Sequence, residues 1–274
     1  MGSASTARVA APPTELIQVD GLRLRVSITG RGRPLLLLNG LGASFELLEP
    51  FRRALTAIET IAIDVPGTGG SEATLLPRRL AAIADLVTRA LGLLGYREVD
   101  VLGISWGGIL AQELARRHLR RVRKLVLVAT SPGWLSVPGR PEALWALATP
   151  RRYYSRSYFE RVAPMLYGGA ARTNPRLLEE HGHLRFIRPP SLRGYLWQLV
   201  AGWGWTSLPW LHRIDRPALV LAADDDPLVP LVNARIIAAR LPNARLHVIP
   251  GGGHLFLVTH AAGIAPLLER FLEE

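Results

Sequence analysis

No cysteine occurs in the 274 residues. That absence excludes a disulfide framework, a thiol nucleophile and thiolate zinc sites, so any chemistry here rests on oxygen and nitrogen groups. Long apolar runs are missing too: stretches such as Pro34 to Leu38 fall far short of the roughly 20 residues a membrane span requires. Lysine is represented by Lys124 alone. The net charge of +11 is therefore carried almost entirely by arginine, a pattern that GC-rich coding imposes on whole proteomes, and no basic run interleaves with aromatics as on a nucleic-acid module. Nucleic acid is not an expected partner, although a basic surface is compatible with an anionic interface. The 26 glycines and 21 prolines follow no period, which removes fibrous and low-complexity readings. Residues 1–14 are small and polar and lack the apolar core of a secretory signal, so they are expected to form a flexible lead-in with no role in export.

What is present, from Glu15 onward, is an alternation of short apolar runs with helical periods. Ile17 to Val19 and Leu22 to Ile28, divided by Asp20-Gly21, predict a hairpin; Leu35 to Leu38 and Ile61 to Asp64 predict buried strands. Phe45 to Ala57 reads as helical, and Leu80, Ile83, Val87, Leu91 and Leu94 form the apolar stripe of a helix packed on a sheet. Val99 to Ile104 and Leu125 to Val128 bracket a helix from about Gly107 to His118. Ala218 to Ala222 and Leu246 to Ile249 add strands before a closing helix marked by Ile264, Leu267, Leu268 and Phe271. Such alternation predicts an α/β fold: a doubly wound, mostly parallel sheet flanked by helices, with right-handed crossovers.

One segment breaks the rhythm. Residues 131–212 hold no convincing β run, and they divide a core of 15–130 and 213–274 as an inserted, largely helical cap. Six of the seven tryptophans and five of the six tyrosines fall there, with ten arginines against four acids. Aromatic-rich caps serve as substrate walls, and they also serve as second hydrophobic cores. Both readings stand at this stage.

Gly103-Ile104-Ser105-Trp106-Gly107 lies where a strand pattern gives way to a helical one, the context a nucleophile elbow needs. The flanking glycines permit a tight strand-to-helix turn that lifts the Ser105 hydroxyl clear of the sheet. A serine hydroxyl needs a base, and the base needs a carboxylate to fix its tautomer. Of seven histidines only His254 follows a strand in a glycine-rich turn ahead of the last helix, whereas His118, His247 and His260 read as caps or packing. His181 and His183 lack a third metal ligand and read as solvated. The acid lies in Asp224-Asp225-Asp226, directly after the strand Ala218 to Ala222. Asn39-Gly40-Leu41-Gly42, after Leu35 to Leu38, occupies the place of the second oxyanion loop, so the backbone N–H groups of Leu41 and Trp106 are the expected donors. Asp64 to Ser71 reads as a structural turn. No metal or cofactor is expected.

Together these landmarks resemble the α/β-hydrolase fold family. The strings NGLGASFELLEPF, DVPGTGGS, GISWGG, LWALATPRRYY, AGWGWTSLPWLH, LAADDDPLVPL and GGHLFL are similar to those of intracellular depolymerases of medium-chain-length polyhydroxyalkanoates, from about residue 15 to the end. The cap strings discriminate best, because triad landmarks are shared by many hydrolases. The resemblance implies Ser105 as nucleophile, His254 as base and the last aspartate, Asp226, as acid, in a cytoplasmic, granule-associated serine esterase. Its implied partner is a polyester granule or a small ester. Asn39, Trp106, Trp203 and Trp205 are the expected substrate contacts. The chain departs from the resemblance at Pro250-Gly251-Gly252, where an acidic pair is expected, which bears on how the histidine loop is held. Other readings on the same scaffold are an esterase or lipase of other medium-chain esters, an acyltransferase and a prolyl aminopeptidase. A non-catalytic binding member would lack one triad residue, and all three are present.

Overall fold

Asp20 and Gly21 both take positive φ (51° and 77°), as a two-residue type I′ turn requires, and they join strand β1 (Glu15–Val19) antiparallel to β2 (Leu22–Thr29). The computed structural model describes residues 13–274; positions 1–12 of the expected lead-in lie outside the described residues. The chain continues through β3 (Arg33–Leu38), α1 (Glu49–Ala54), β4 (Ile58–Ile63), α2 (Leu80–Leu93), β5 (Val99–Ile104), α3 (Trp106–Arg117) and β6 (Val122–Val128). Helices α4 (Pro141–Leu147), α5 (Arg156–Tyr167), α6 (Ala170–Thr173), α7 (Pro175–Ile187) and α8 (Leu192–Gly202) follow without an intervening strand. The sheet resumes with β7 (Ala218–Ala223), α9 (Leu231–Arg240), β8 (Ala244–Ile249), α10 (Phe256–Thr259) and α11 (Ala261–Glu273).

The eight strands lie in the order β1-β2-β4-β3-β5-β6-β7-β8, antiparallel only at the β1-β2-β4 edge. Parallel strands buried on both faces read as continuous apolar runs, and Leu35 to Leu38 is such a run. Leu36 and Leu38 face α2 and α3, whereas Leu35 and Leu37 pack with Phe45, Phe51 and α11 on the other face. The expected helix over 45–57 is shorter than its pattern. A 3-10 turn over Phe45–Leu48 leads into α1, which stops at Ala54 because β4 begins at Ile58, paired with Arg33 of β3.

Residues 131–212 leave the sheet after β6 and return before β7, and a single bridge, Gly133 to Thr206, ties the ends of the excursion together. Ala143, Phe159, Val162, Leu166 and Leu178 form a small core of their own, to which Leu228 from after β7 contributes. Part of the aromatic content thus serves packing.

Helix α3 approaches the sheet closely because glycine leaves room for it. A Cβ on Gly107 would lie 2.1 Å from the Leu38 carbonyl oxygen, and one on Gly103 would lie 2.3 Å from the Gly107 oxygen. Gly107→Ala is expected to lower stability in urea unfolding by about 3 kcal/mol, the upper range of overpacking. Gly263→Ala, on the exposed face of α11 with open space at the site, is expected to raise it by about 0.5–1 kcal/mol.

Candidate active site

At the carboxyl end of β5 the chain turns into α3 through Ser105, whose φ of 53° and ψ of −116° fall outside the regions that L residues favour. Such strain costs about 1–3 kcal/mol and persists only where the surroundings over-determine it. Here they do. Ser105 N–H donates to Val128 O at 2.9 Å, and Ser105 O accepts from Gly108 N–H at 2.9 Å and Thr130 Oγ1 at 2.7 Å. The first turn of α3 therefore starts immediately behind the hydroxyl, with its positive dipole end toward it.

His254 and Asp226 come together from the ends of β8 and β7. His254 Nδ1 lies 2.7 Å from Asp226 Oδ2, and both side chains are buried. The other oxygen, Asp226 Oδ1, accepts the Leu228 and Val229 N–H groups at 2.9 and 3.0 Å, so the carboxylate has one orientation. With Nδ1–H donated to the carboxylate, His254 Nε2 is the nitrogen left to take a proton. The neighbouring aspartates do different work. Asp225 Oδ2 accepts Gly169 N–H at 2.7 Å and pairs with Arg172 at 2.6 Å, whereas Asp224 Oδ1 accepts Gly251 N–H at 2.7 Å.

The histidine loop is held from two sides despite its three glycines. Asp224 fixes Gly251, Gly252 O accepts Asp225 N–H at 3.0 Å, and His254 N–H donates to Tyr167 O at 2.7 Å. The Tyr167 ring stacks on His254 at 6.4 Å and 14°. A Cβ on Gly253 would meet the Tyr167 oxygen at 2.2 Å, so the end of α5 and this loop touch backbone to backbone.

Ser105, His254 and the loop Asn39–Leu41 line one cavity. Its remaining walls are mostly apolar, including Leu47, Leu48, Leu147, Leu228, Leu257 and Val258. Neither Leu41 N–H nor Trp106 N–H has a protein acceptor among the described residues. The Leu41–Gly42 peptide is fixed by residues from 131–212: Leu41 O accepts Tyr153 OH at 2.7 Å and Arg152 Nη2 at 3.2 Å, and Gly42 N–H donates to Gln198 Oε1 at 2.8 Å. Gln198 O also accepts the Trp106 indole N–H at 2.9 Å. One residue of α8 thus ties the elbow to the loop opposite it.

The structure brings only Asn39 of the four expected substrate contacts to the cavity lining. Asn39 lines the cavity, but its side chain is spent on Ser44 O and Gly40 N–H, both at 2.8 Å, which makes it an organiser of the loop. Trp106 is 8% exposed and packs in the core beneath α8. Trp203 and Trp205 lie on a different groove, shared with Arg78, Glu113 and Trp210; the Trp203 ring lies tilted against Trp134 at 4.6 Å, and Trp205 Nε1 donates to Glu113. His181 is 5% exposed, not solvated, and reaches the cavity beside Arg185; His183 is exposed. Tyr153, Tyr167, Arg152 and Arg185 are further lining residues; the Arg-Arg-Tyr-Tyr run at 151–154 signals Arg152 and Tyr153, and no motif marks Tyr167 or Arg185. Asp64 is structural as expected: it accepts Phe45 N–H at 3.0 Å and Arg25 Nη1 at 3.2 Å, and burial pushes its carboxyl up to about 7 against the pull of Arg25.

The three aspartates give a direct test. Asp226→Asn is expected to lower kcat by about 10⁴ through loss of the imidazole's tautomer and charge partner. Asp224→Asn and Asp225→Asn, whose carboxylates hold Gly251 and the start of α6, are expected to retain most of the rate on the same ester. A severe loss at Asp225 alone would contradict the pairing.

The profile of the alpha/beta hydrolase fold matches residues 33–261. The chain is 50% identical over 262 residues to the poly(3-hydroxyalkanoate) depolymerase of Ectopseudomonas oleovorans, covering 94% of this chain and 92% of that protein. Among solved structures, a hydrolase from Pseudomonas aeruginosa PA01 superposes with a TM-score of 0.82 at 25% identity, covering 96% of this chain and all of that one. The enol-lactonase of Burkholderia xenovorans LB400 does so with a TM-score of 0.82 at 22% identity, over 95% and 100%, and shares the fold. Sheet order, elbow and profile match agree, and the chain belongs to the α/β hydrolase fold family.

Proposed function

We propose that this protein is a serine esterase that hydrolyses medium-chain 3-hydroxyalkanoate esters, in the polymer or its oligomers, through an acyl-enzyme. The observation that carries the reading is the buried 2.7 Å pair of His254 and Asp226 at the wall of the cavity that Ser105 enters. His254 Nε2 takes the Ser105 proton as Oγ attacks the ester carbonyl. The developing oxyanion lies between the Leu41 and Trp106 N–H groups, each such donor contributing about 2.7–4 kcal/mol to the transition state. His254 then protonates the leaving oxygen, and water repeats the sequence in reverse to free Ser105.

Substrate class follows from two supports. The Ectopseudomonas relative carries the depolymerase name across nearly its whole length. The leucine-lined cavity suits alkyl chains, since burying each methylene contributes about 0.8 kcal/mol. Among the described residues no helix is long and apolar enough to cross a membrane, and the reading places the enzyme in the cytoplasm, at the granule surface.

kcat/KM is expected to rise from p-nitrophenyl acetate to the octanoate, with emulsified long-side-chain polyester hydrolysed in preference to short-chain polyester. Ser105→Ala is expected to abolish turnover with unchanged far-UV circular dichroism. Leu147→Ala, in the cavity wall, is expected to flatten the chain-length preference more than Trp203→Ala, which lies outside it. Faster hydrolysis of prolyl amides than of any ester would overturn the substrate assignment and leave the serine chemistry intact.

A further inference from the structure

One wall of the cavity holds positive charge with no acid to answer it. Arg152 and Arg185 are 2% and 3% exposed, and no Asp or Glu is among the residues that line the cavity. The four acids of residues 131–212, Glu142, Glu160, Glu179 and Glu180, are all exposed. Aromatic faces cover the guanidiniums: Arg185 lies 4.6 Å from the Tyr153 ring centre and 5.3 Å from that of Phe159. Such contacts offset part of the lost hydration and supply no hydrogen-bond acceptor.

The hydrogen bonds are correspondingly incomplete. Arg152 donates to the Tyr195 hydroxyl, to Leu41 O and, at 3.3 Å, to Thr149 O, but Arg185 donates only through Nη2, to His181 Nε2 at 2.8 Å. A guanidinium can only donate, so Nε2 accepts and the ring proton sits on Nδ1. Burial first, and the Arg185 charge second, hold His181 well below the usual histidine range, so the ring is neutral. Arg185 Nε, Arg185 Nη1, His181 Nδ1 and Arg152 Nε are all buried without an acceptor among the described residues. Buried charge and buried unmet donors are each costly, and here they coincide in the wall of a reaction cavity.

We infer that this wall is a carboxylate subsite, which holds the free carboxyl end of a hydroxyalkanoate chain while Ser105 attacks the ester one unit upstream. The inference rests on the ester-hydrolase reading above. The donor atoms are closed to water in this structure, so the Arg185 edge turns toward the incoming carboxylate as it forms the two parallel bonds a guanidinium favours. The polarity of the polyester then fixes which group leaves. The bond between the acyl carbon and the terminal unit's oxygen breaks, His254 supplies the proton to that oxygen, and the terminal 3-hydroxy acid departs with its carboxylate unchanged. Water releases the shortened chain from Ser105 with a new carboxylate at its end. Each turnover thus regenerates the group that the subsite recognises.

The test uses the dimer of 3-hydroxyoctanoate with its carboxyl end free or capped as a primary amide, at neutral pH and with release of the terminal unit as the readout. The wild-type kcat/KM is expected to be at least tenfold higher for the free acid, and Arg185→Gln is expected to close that gap, with folding checked by circular dichroism and by fluorophosphonate labelling of Ser105. A binding comparison needs no variant: 3-hydroxyoctanoate is expected to inhibit p-nitrophenyl ester hydrolysis at least tenfold more tightly than 3-hydroxyoctanamide. Equal rates for the two dimers, or equal inhibition by acid and amide, would overturn the subsite and leave the esterase reading standing. Cleavage of neither dimer, with p-nitrophenyl esters still turned over, would overturn the hydroxyalkanoate reading and the subsite with it.

Discussion

The close approach of α3 to the sheet is the constraint from which the site follows. Without side chains at Gly103 and Gly107, the start of the helix can lie against the ends of β3 and β5, and Ser105 is forced into backbone angles it would not otherwise adopt. That contortion does two things at once. It starts α3 immediately behind the hydroxyl, and it leaves the Trp106 N–H without an acceptor among the described residues. In the proposed mechanism, activation by His254 and stabilisation by the oxyanion donors would both depend on this one steric arrangement.

The inserted segment is more than a cover. Tyr153, Arg152 and Gln198 grip the peptide that follows Leu41, while Tyr167 holds the backbone of His254. The two loops on which the proposed chemistry depends, Asn39–Gly42 and the histidine loop, are thus braced by the same segment that walls the cavity. Displacing it would loosen the donors and the base together. A shared support of this kind couples substrate fit to catalytic geometry, because whatever shifts α5 or α8 shifts groups within reach of the reacting ester.

The core of the fold was legible in the sequence because its determinants are local: a four-leucine strand, an Asp-Gly turn, a Gly-x-Ser-x-Gly between strand and helix. The candidate triad was legible for a related reason, since each member follows a strand at the carboxyl edge of the sheet, where strand order alone brings the ends together. Choosing Asp226 among three aspartates took the resemblance, and its geometric reason appears only in three dimensions, where Asp224 and Asp225 brace loops instead. The cavity walls were not legible. Trp203 and Trp205 looked like substrate contacts by composition, yet they lie just beyond the end of α8, and which part of the cap turns inward depends on how its five helices pack. Arg152, Arg185 and His181 escaped for the opposite reason: charged residues in an arginine-rich segment read as solvated, and only tertiary packing buries them.

The proposed chemistry requires a covalent intermediate at Ser105. Mixing the protein with p-nitrophenyl 3-hydroxyoctanoate, quenching in acid within the first turnover and measuring intact mass tests it directly. A single added 3-hydroxyoctanoyl group, mapped to the peptide carrying Ser105 and lost on longer incubation, is the predicted result. Turnover without any such adduct, or an acyl group on a different residue, would contradict it.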